Sequence, residues 1–196
     1  NPEIGFDCHQ TAGFVVERLR EFGITEIETG VAESGVVAVI EGQGADAPDA
    51  PVIGLRADMD ALPMEDRTGA PYAAVGRGAS HACGHDGHTA MLLGAAKYLA
   101  ETRAFQGRVV VIFQPAEEGP GGADVMVREG VLDRYGIEQV FALHTLPGVE
   151  AGGFFTAPGP IMAAVDTFYI DIKGVGGHGA YPQETRDPVV AACGMV

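Results

Sequence analysis

Nine consecutive residues, SHACGHDGH at positions 80–88, contain three histidines, one cysteine and one aspartate. Cys83 and His85 are two residues apart, so in an extended chain their side chains point to the same side. A thiolate and an imidazole together suit zinc and similar divalent ions. The alternative is a histidine-rich surface loop. Because the spacing is not that of a zinc finger, this stretch by itself leaves both interpretations open.

A pair of adjacent carboxylates strengthens the case for metal chemistry. In the segment FQPAEEG, Gln114 ends an apolar run, Pro115 interrupts it, and Glu117 and Glu118 follow. Neighbouring side chains diverge, so one carboxylate can bind a metal ion while the other faces the attacking water. Metal-assisted hydrolysis needs that combination of a ligand and a general base. Seen alone, the pair could also be a solvated acidic turn.

Further polar side chains follow other apolar runs or lie among glycines. His144 ends FALH, Asp58 and Asp60 follow GLRA, and His178 lies in GVGGHGAYP. A structural role is the alternative for His144, and turn formation or helix capping is the alternative for the two aspartates. His178 is either the tip of a flexible loop or a donor to substrate or to a developing oxyanion.

Other kinds of chemistry lack their sequence patterns. Cys83 has no Cys-x-x-Cys partner for redox work, no Gly-x-Ser-x-Gly occurs, and GPGGAD lacks the Gly-Lys-Ser/Thr ending of a phosphate loop. A net charge of −15 disfavours nucleic acid and anionic membranes as partners. The three widely separated cysteines predict a reducing, cytoplasmic setting, and no run is long enough to cross a membrane.

Apolar strands alternating with amphipathic helices predict an α/β fold with a mostly parallel sheet flanked by helices. Sites in such folds form after the carboxyl ends of the strands, so the polar residues above are expected to converge there. The predicted strands, the last three of them buried, and the predicted helices cover the following segments: strands 35–42, 51–58, 107–114 and 139–145; helices 11–23, 88–101 and 122–130.

The pattern changes near residue 165. The segment 166–174 alternates apolar and polar residues, which predicts a half-exposed antiparallel strand, and Asp187 and Pro188 predict the start of a helix. We therefore expect residues 1–164 to be the N-terminal part of a catalytic domain and residues 165–196 to begin a smaller α+β dimerisation or lid domain. The chain is expected to be an N-terminal fragment.

Five segments occurring in this order resemble the metallo-aminoacylase and carboxypeptidase amidohydrolases, a zinc-peptidase-like family. They are GLRADMDALP, SHACGHDGHTAMLLGAA, VVVIFQPAEEGPGGA, FALHTLPG and GVGGHGAYPQETRDPV. The resemblance runs from the first helix to the last residue. It is strongest to the branch that contains hippurate hydrolase, N-acyl-L-amino acid amidohydrolase and indole-acetyl-amino-acid hydrolase.

The resemblance implies hydrolysis of a small N-acyl or N-aroyl amino acid to a carboxylic acid and a free amino acid, with two divalent ions, Zn or Mn. It implies that Cys83, His85, Glu118 and His144 are metal ligands and that Glu117 is the general base. Family members carry one more ligand histidine beyond the inserted domain, and the chain ends before that position. A binding module that uses the same residues without catalysis is the alternative, against which the adjacent carboxylates argue.

Three further positions take roles from the resemblance. Asp58 and Asp60 fall where related branches carry a His-x-Asp pair, which implies that Asp60 orients a ligand and leaves Asp58 less well defined. His178 matches a histidine that contacts substrate from the smaller domain, often in the active site of the partner subunit. A homodimer formed through that domain is expected.

Overall fold

The computed structural model describes residues 1–119 and 121–195. The chain divides into two compact units, Asn1–Gly148 and Val149–Val196. The predicted boundary between residues 164 and 165 concerns the domains of the whole protein, and it stays a prediction.

A five-stranded sheet forms the centre of the first unit. Its strands, in spatial order, are β1 (Ile27–Val31), β2 (Gly35–Glu41), β4 (Arg108–Gln114), β3 (Val52–Asp58) and β5 (Gln139–Ala142). β3 pairs in parallel with β4 and β5, whereas β2 is antiparallel to both β1 and β4. All strands except β2 therefore run in one direction, which confirms the predicted mostly parallel sheet. β1 was not predicted.

Helices cover both faces of this sheet. They are α1 (His9–Glu21), α2 (His85–Thr102), α3 (Gly122–Arg128) and α4 (Val131–Tyr135). One core joins α1 and α2 to side chains such as Val111 and Phe113 of β4, and a second core joins Met126 of α3 and Val131 of α4 to Val110 on the opposite face. Successive residues of β4 thus serve different cores, which explains its almost uninterrupted apolar sequence.

The prediction that β5 is buried was wrong. All four residues of β5 are exposed. β5 lies at the edge of the sheet and pairs only with β3 among the described strands. An apolar run is therefore not sufficient to show burial, because burial also requires a covering layer on each face.

The second unit contains a 3-10 turn (Pro182–Glu184) and α5 (Pro188–Cys193). The predicted start of this helix is confirmed, since the Asp187 side chain accepts a hydrogen bond from the Val189 N–H at 2.8 Å. The predicted strand over 166–174 is not formed in the described residues. A strand requires a hydrogen-bonded neighbour, and the only bridge described in this unit joins Val175 and Arg186. None of the helices in the described ranges is both long and apolar enough to span a membrane.

Candidate metal centre

The predicted ligands of the first unit converge at one edge of the sheet. β3 ends at Asp58, β4 ends at Gln114, and α2 begins at His85. Potential ligands form three groups, and within each group the ligand atoms lie within 4.8 Å of one another. His85 belongs to all three groups. The members of the three groups are Cys83, His85 and His144; His85, Glu117 and Glu118; and Asp58, His85 and His88.

His85 is fully buried among carboxylates. Its Nε2 lies 3.7 Å from Oε1 of Glu118, 3.8 Å from Oε2 of Glu117 and 3.8 Å from Oδ2 of Asp58. Both ring nitrogens of His85 and Oε1 of Glu118 are buried without a hydrogen-bond partner among the described residues. Buried polar atoms are rarely left unpaired. A cation between Nε2 of His85 and Oε1 of Glu118 would satisfy these two atoms, so the residues present fit a divalent metal ion.

His144 and Cys83 face each other beside this group. Sγ of Cys83 and Nε2 of His144 are 3.5 Å apart. Nδ1 of His144 lies 2.7 Å from the carbonyl oxygen of Thr145, which can only accept a hydrogen bond. Nδ1 therefore carries the proton and donates, which leaves the Nε2 lone pair directed toward the thiol.

Asp60 connects His85 to the loop that carries the two glutamates. Its Oδ2 accepts the backbone N–H of Glu118 at 3.0 Å, and its Oδ1 lies 3.4 Å from Nδ1 of His85. The second pair is close enough for charge attraction, although its geometry does not make a hydrogen bond. This placement is what an orienting residue needs, and the predicted role of Asp60 stays a prediction.

The carboxylate of Asp58 is already engaged within the protein. Its Oδ1 lies 2.6 Å from Nδ1 of His88, and its Oδ2 accepts from Nη1 of Arg56 at 2.9 Å. Nε2 of His88 accepts the backbone N–H of Thr145 at 2.9 Å. Since both nitrogens of His88 are used, the group formed by Asp58, His85 and His88 is the weakest of the three as a metal site.

The charges of the site shift the pKa values of its members. Burial opposes ionisation of His85, but Asp60 and Asp58 outweigh that effect and raise its pKa. Burial also opposes ionisation of Asp58, yet its contacts with His88 and Arg56 hold its pKa below the ordinary value. Burial, followed by the neighbouring Glu118, raises the pKa of the Cys83 thiol to about 11. The free thiol is therefore protonated at neutral pH, and only a nearby cation would favour the thiolate.

His178 lies in the second unit, where its side chain is exposed. Its Nδ1 accepts the Ala180 N–H at 3.1 Å, and its ring centroid is 5.4 Å from that of Tyr181. Its predicted contact with substrate stays a prediction.

The sequence interpretation assigned no role to His88, Thr145 or Arg56. His88 could have been found, because positions three residues apart on a helix share a face and His85 begins α2. Thr145 gave no such signal, since its contact with His88 joins residues that are distant along the chain.

Comparisons of the sequence with known proteins show which proteins the chain is similar to. The model of peptidase family M20/M25/M40 matches residues 54–194. Hippurate hydrolase of Campylobacter jejuni is 44% identical over 98% of this chain and 49% of its own length. N-acyl-L-amino acid amidohydrolase of Geobacillus stearothermophilus is 42% identical over 100% of this chain and 52% of its own length. The chain thus spans about half the length of the curated relatives that it matches.

Solved structures show the same fold. A protein from methicillin-resistant Staphylococcus aureus aligns with a TM-score of 0.79 and 36% identity, over 98% of this chain and 50% of that one. The YXEP protein of Bacillus subtilis, described as a dinuclear metal-binding peptidase from the M20 family, aligns with a TM-score of 0.69 and 40% identity. That alignment covers 76% of this chain and 40% of the other.

Proposed function

The chain belongs to peptidase family M20/M25/M40, and we propose that the whole protein is a metal-dependent amidohydrolase that cleaves N-acyl or N-aroyl amino acids. The products would be a carboxylic acid and a free amino acid. The observation that carries this proposal is the convergence of a thiol, two imidazoles and two adjacent carboxylates around His85. The names of the relatives, a hippurate hydrolase and an N-acyl-L-amino acid amidohydrolase, support the substrate class.

Cys83, His85, Glu118 and His144 would hold the metal. The unpartnered Nε2 of His85 and Oε1 of Glu118 support this assignment. A dinuclear relative supports two ions. Divalent ions bound there would lower the pKa of a water molecule and polarise the amide carbonyl. The thiol ligand favours zinc over manganese, which is the alternative.

Glu117 would act as the general base. Its side chain is 41% exposed, whereas that of Glu118 is 21% exposed and has a buried, unpartnered oxygen. Of the two carboxylates, Glu117 is therefore the one free to meet water and substrate. It would take a proton as the water oxygen bonds to the carbonyl carbon, and return that proton to the amine nitrogen as the C–N bond breaks.

Asp60 would keep His85 and the backbone of Glu118 in position during hydrolysis, through its contacts with them at 3.4 and 3.0 Å. His178 would donate a hydrogen bond to the substrate or to the developing oxyanion. Its neighbourhood in the second unit would form the interface of a homodimer. A net charge of −15 supports a small-molecule substrate rather than nucleic acid or a membrane surface. The widely spaced cysteines support a cytoplasmic setting.

Metal analysis combined with hydrolysis assays tests this proposal. The whole protein would be loaded with Zn or Mn, desalted, analysed for bound metal, and assayed on hippurate and on N-acetyl amino acids. We expect two ions per chain, and hydrolysis that a chelator abolishes and added metal restores. Metal or ligand binding without any product would favour the binding-module alternative. A whole protein that binds no metal would contradict the proposal.

A further inference from the structure

We propose that His88 is a positioning residue that holds the backbone of Thr145, and through it the imidazole of His144, in place at the metal centre. This inference rests on the proposed function, because it gives His144 the role of a ligand. His88 itself is buried on α2, three residues after His85.

Two hydrogen bonds assign a single tautomer to His88. The backbone N–H of Thr145 can only donate, so Nε2 of His88, 2.9 Å away, must accept and carries no proton. Nδ1 therefore carries the proton and donates to Oδ1 of Asp58 at 2.6 Å. Oδ2 of the same carboxylate accepts from Arg56 at 2.9 Å. The Arg56 guanidinium thus orients the Asp58 carboxylate, and that carboxylate orients the His88 ring. The ring in turn holds the N–H of Thr145.

Thr145 passes this constraint to His144 through its own backbone. Its N–H bonds to His88, and its carbonyl oxygen accepts from Nδ1 of His144 at 2.7 Å. The second contact turns Nε2 of His144 toward Sγ of Cys83, 3.5 Å away. The orientation of His144 thus depends on the backbone of Thr145, which is hydrogen-bonded to His88.

An anchor is needed here because the segment that carries His144 is weakly packed. His144 and Thr145 are both exposed, and they follow the exposed edge strand β5. Segments with few buried apolar contacts open readily. His88 is 2% exposed, and Leu92 and Leu93 of the same helix belong to the core. His88 is therefore held rigidly and can anchor the exposed segment. Ligands held only by a mobile loop bind metal less tightly than ligands with such support.

Two substitutions of His88 test its two hydrogen bonds one at a time. His88→Gln places an amide oxygen near the position of Nε2, where it can accept the Thr145 N–H, but it loses the ring Nδ1–H. His88→Asn places its amide near the position of Nδ1, where it can still donate to Asp58, but it leaves the Thr145 N–H without an acceptor. His9→Asn is a matched control, because it makes the same change at an exposed histidine of α1, whose Nε2 lies 3.9 Å from Oδ1 of Asp7.

The affinity for zinc, measured by competition with a chelator, and the absorption spectrum of the cobalt-loaded whole protein would be compared among these variants. We expect His88→Asn to bind zinc about 10- to 100-fold more weakly and to change the cobalt spectrum, as loss of a supporting contact does in other metal sites. His88→Gln should lie closer to the wild type than His88→Asn does, and His9→Asn should match the wild type.

A measurement on the unmodified protein covers the case in which His88→Asn does not fold. Long-range proton–nitrogen correlation spectra of histidine rings should show His88 protonated at Nδ1 and bare at Nε2, and the opposite tautomer would overturn the inference. A wild-type protein that binds metal, together with a folded His88→Asn variant of unchanged affinity and cobalt spectrum, would also overturn it while leaving the proposed function intact. Failure of the wild type to bind metal would overturn both.

Discussion

Nε2 of His85 lies 3.7 Å from Oε1 of Glu118, and neither atom has a hydrogen-bond partner in the described part of the chain. Once Nε2 of His85 carries no proton, this nitrogen and the carboxylate oxygen each present a lone pair across the gap. Burial removes the water that would otherwise satisfy them. A cation between the two groups would stabilise the arrangement, and this supports the proposed metal-binding role of Glu118 and leaves the proposed role of general base to Glu117.

Glu117→Gln should therefore keep the metal and lose turnover. The amide cannot take a proton from water, and positioned general bases contribute about 10²- to 10⁴-fold to rate. We expect kcat for an N-acyl amino acid to fall by at least that factor while the metal content stays at the wild-type level. Glu101→Gln is the matched control, since Glu101 is an exposed helical glutamate paired with Lys97. Near-normal turnover by Glu117→Gln would disprove the assignment of the base.

Metal binding should strengthen as the pH rises. The pKa of Cys83 is raised to about 11 and that of His85 is raised above its ordinary value, so the metal-free site holds protons that a metal ion must displace. A ligand that must lose one proton gives an affinity that rises about tenfold per pH unit below its pKa. Calorimetric titration with zinc in buffers of different ionisation enthalpy would count the released protons.

Replacing the thiol tests that relationship directly. Cys83→Ser should release about one proton fewer on binding zinc, and its affinity should depend less steeply on pH. Cys193→Ser is the control, because Cys193 is an exposed cysteine of the second unit. Equal proton release by wild type and Cys83→Ser would mean that the thiol is not a ligand.

The sequence was sufficient to predict the elements whose signals are local. The apolar runs of β3 and β4 and the periodic pattern of α2 each specify an element from neighbouring residues alone. The rule that sites form after parallel strands then brought Asp58, Glu117 and His144 to one edge of the sheet. These predictions succeeded because they required no knowledge of contacts between distant segments.

The failures all depended on such contacts. The exposure of β5 follows from its place at the sheet edge, which its own sequence does not encode. The segment 166–174 has the alternation of a strand, but the described chain offers it no partner. The contact between His88 and Thr145 joins positions 57 residues apart. A single sequence gives the residue types of such a pair but does not show that the two residues are in contact.

Asp60→Ala should weaken metal binding without removing any ligand. The substitution leaves the Glu118 N–H without its acceptor and removes the charge 3.4 Å from Nδ1 of His85. We expect the zinc affinity to fall about 10- to 100-fold. An unsatisfied buried donor should also cost about 1–3 kcal/mol of folding free energy. Chelator competition and thermal melting would measure the two effects.

Asp66→Ala is the matched control for Asp60→Ala. Asp66 also accepts backbone hydrogen bonds, from Thr68 and Ala74, but it lies in an exposed loop. Its replacement should leave the zinc affinity unchanged. Equal losses of affinity in the two variants would show that Asp60 acts on general stability and not on the orientation of His85.

Gly84→Ala should damage both folding and metal binding. Gly84 caps α2 in the left-handed region, with φ of 85°, and a methyl group there would lie 2.5 Å from Oγ1 of Thr145. The backbone strain costs about 1–3 kcal/mol. The methyl group would also push Thr145 away from His88, so the melting temperature of the metal-free protein and the zinc affinity should both fall.

Gly87→Ala separates this local effect from a general intolerance of side chains. Gly87 lies within α2, and a methyl group there would lie 4.0 Å from Cγ2 of Thr145, which is ordinary contact. Because glycine inside a helix is about 0.5–1 kcal/mol less favourable than alanine, Gly87→Ala should melt at the wild-type temperature or slightly above it. Its zinc affinity should be unchanged. If both variants bound zinc as the wild type does, the spacing between Gly84 and Thr145 would have no role in holding His144.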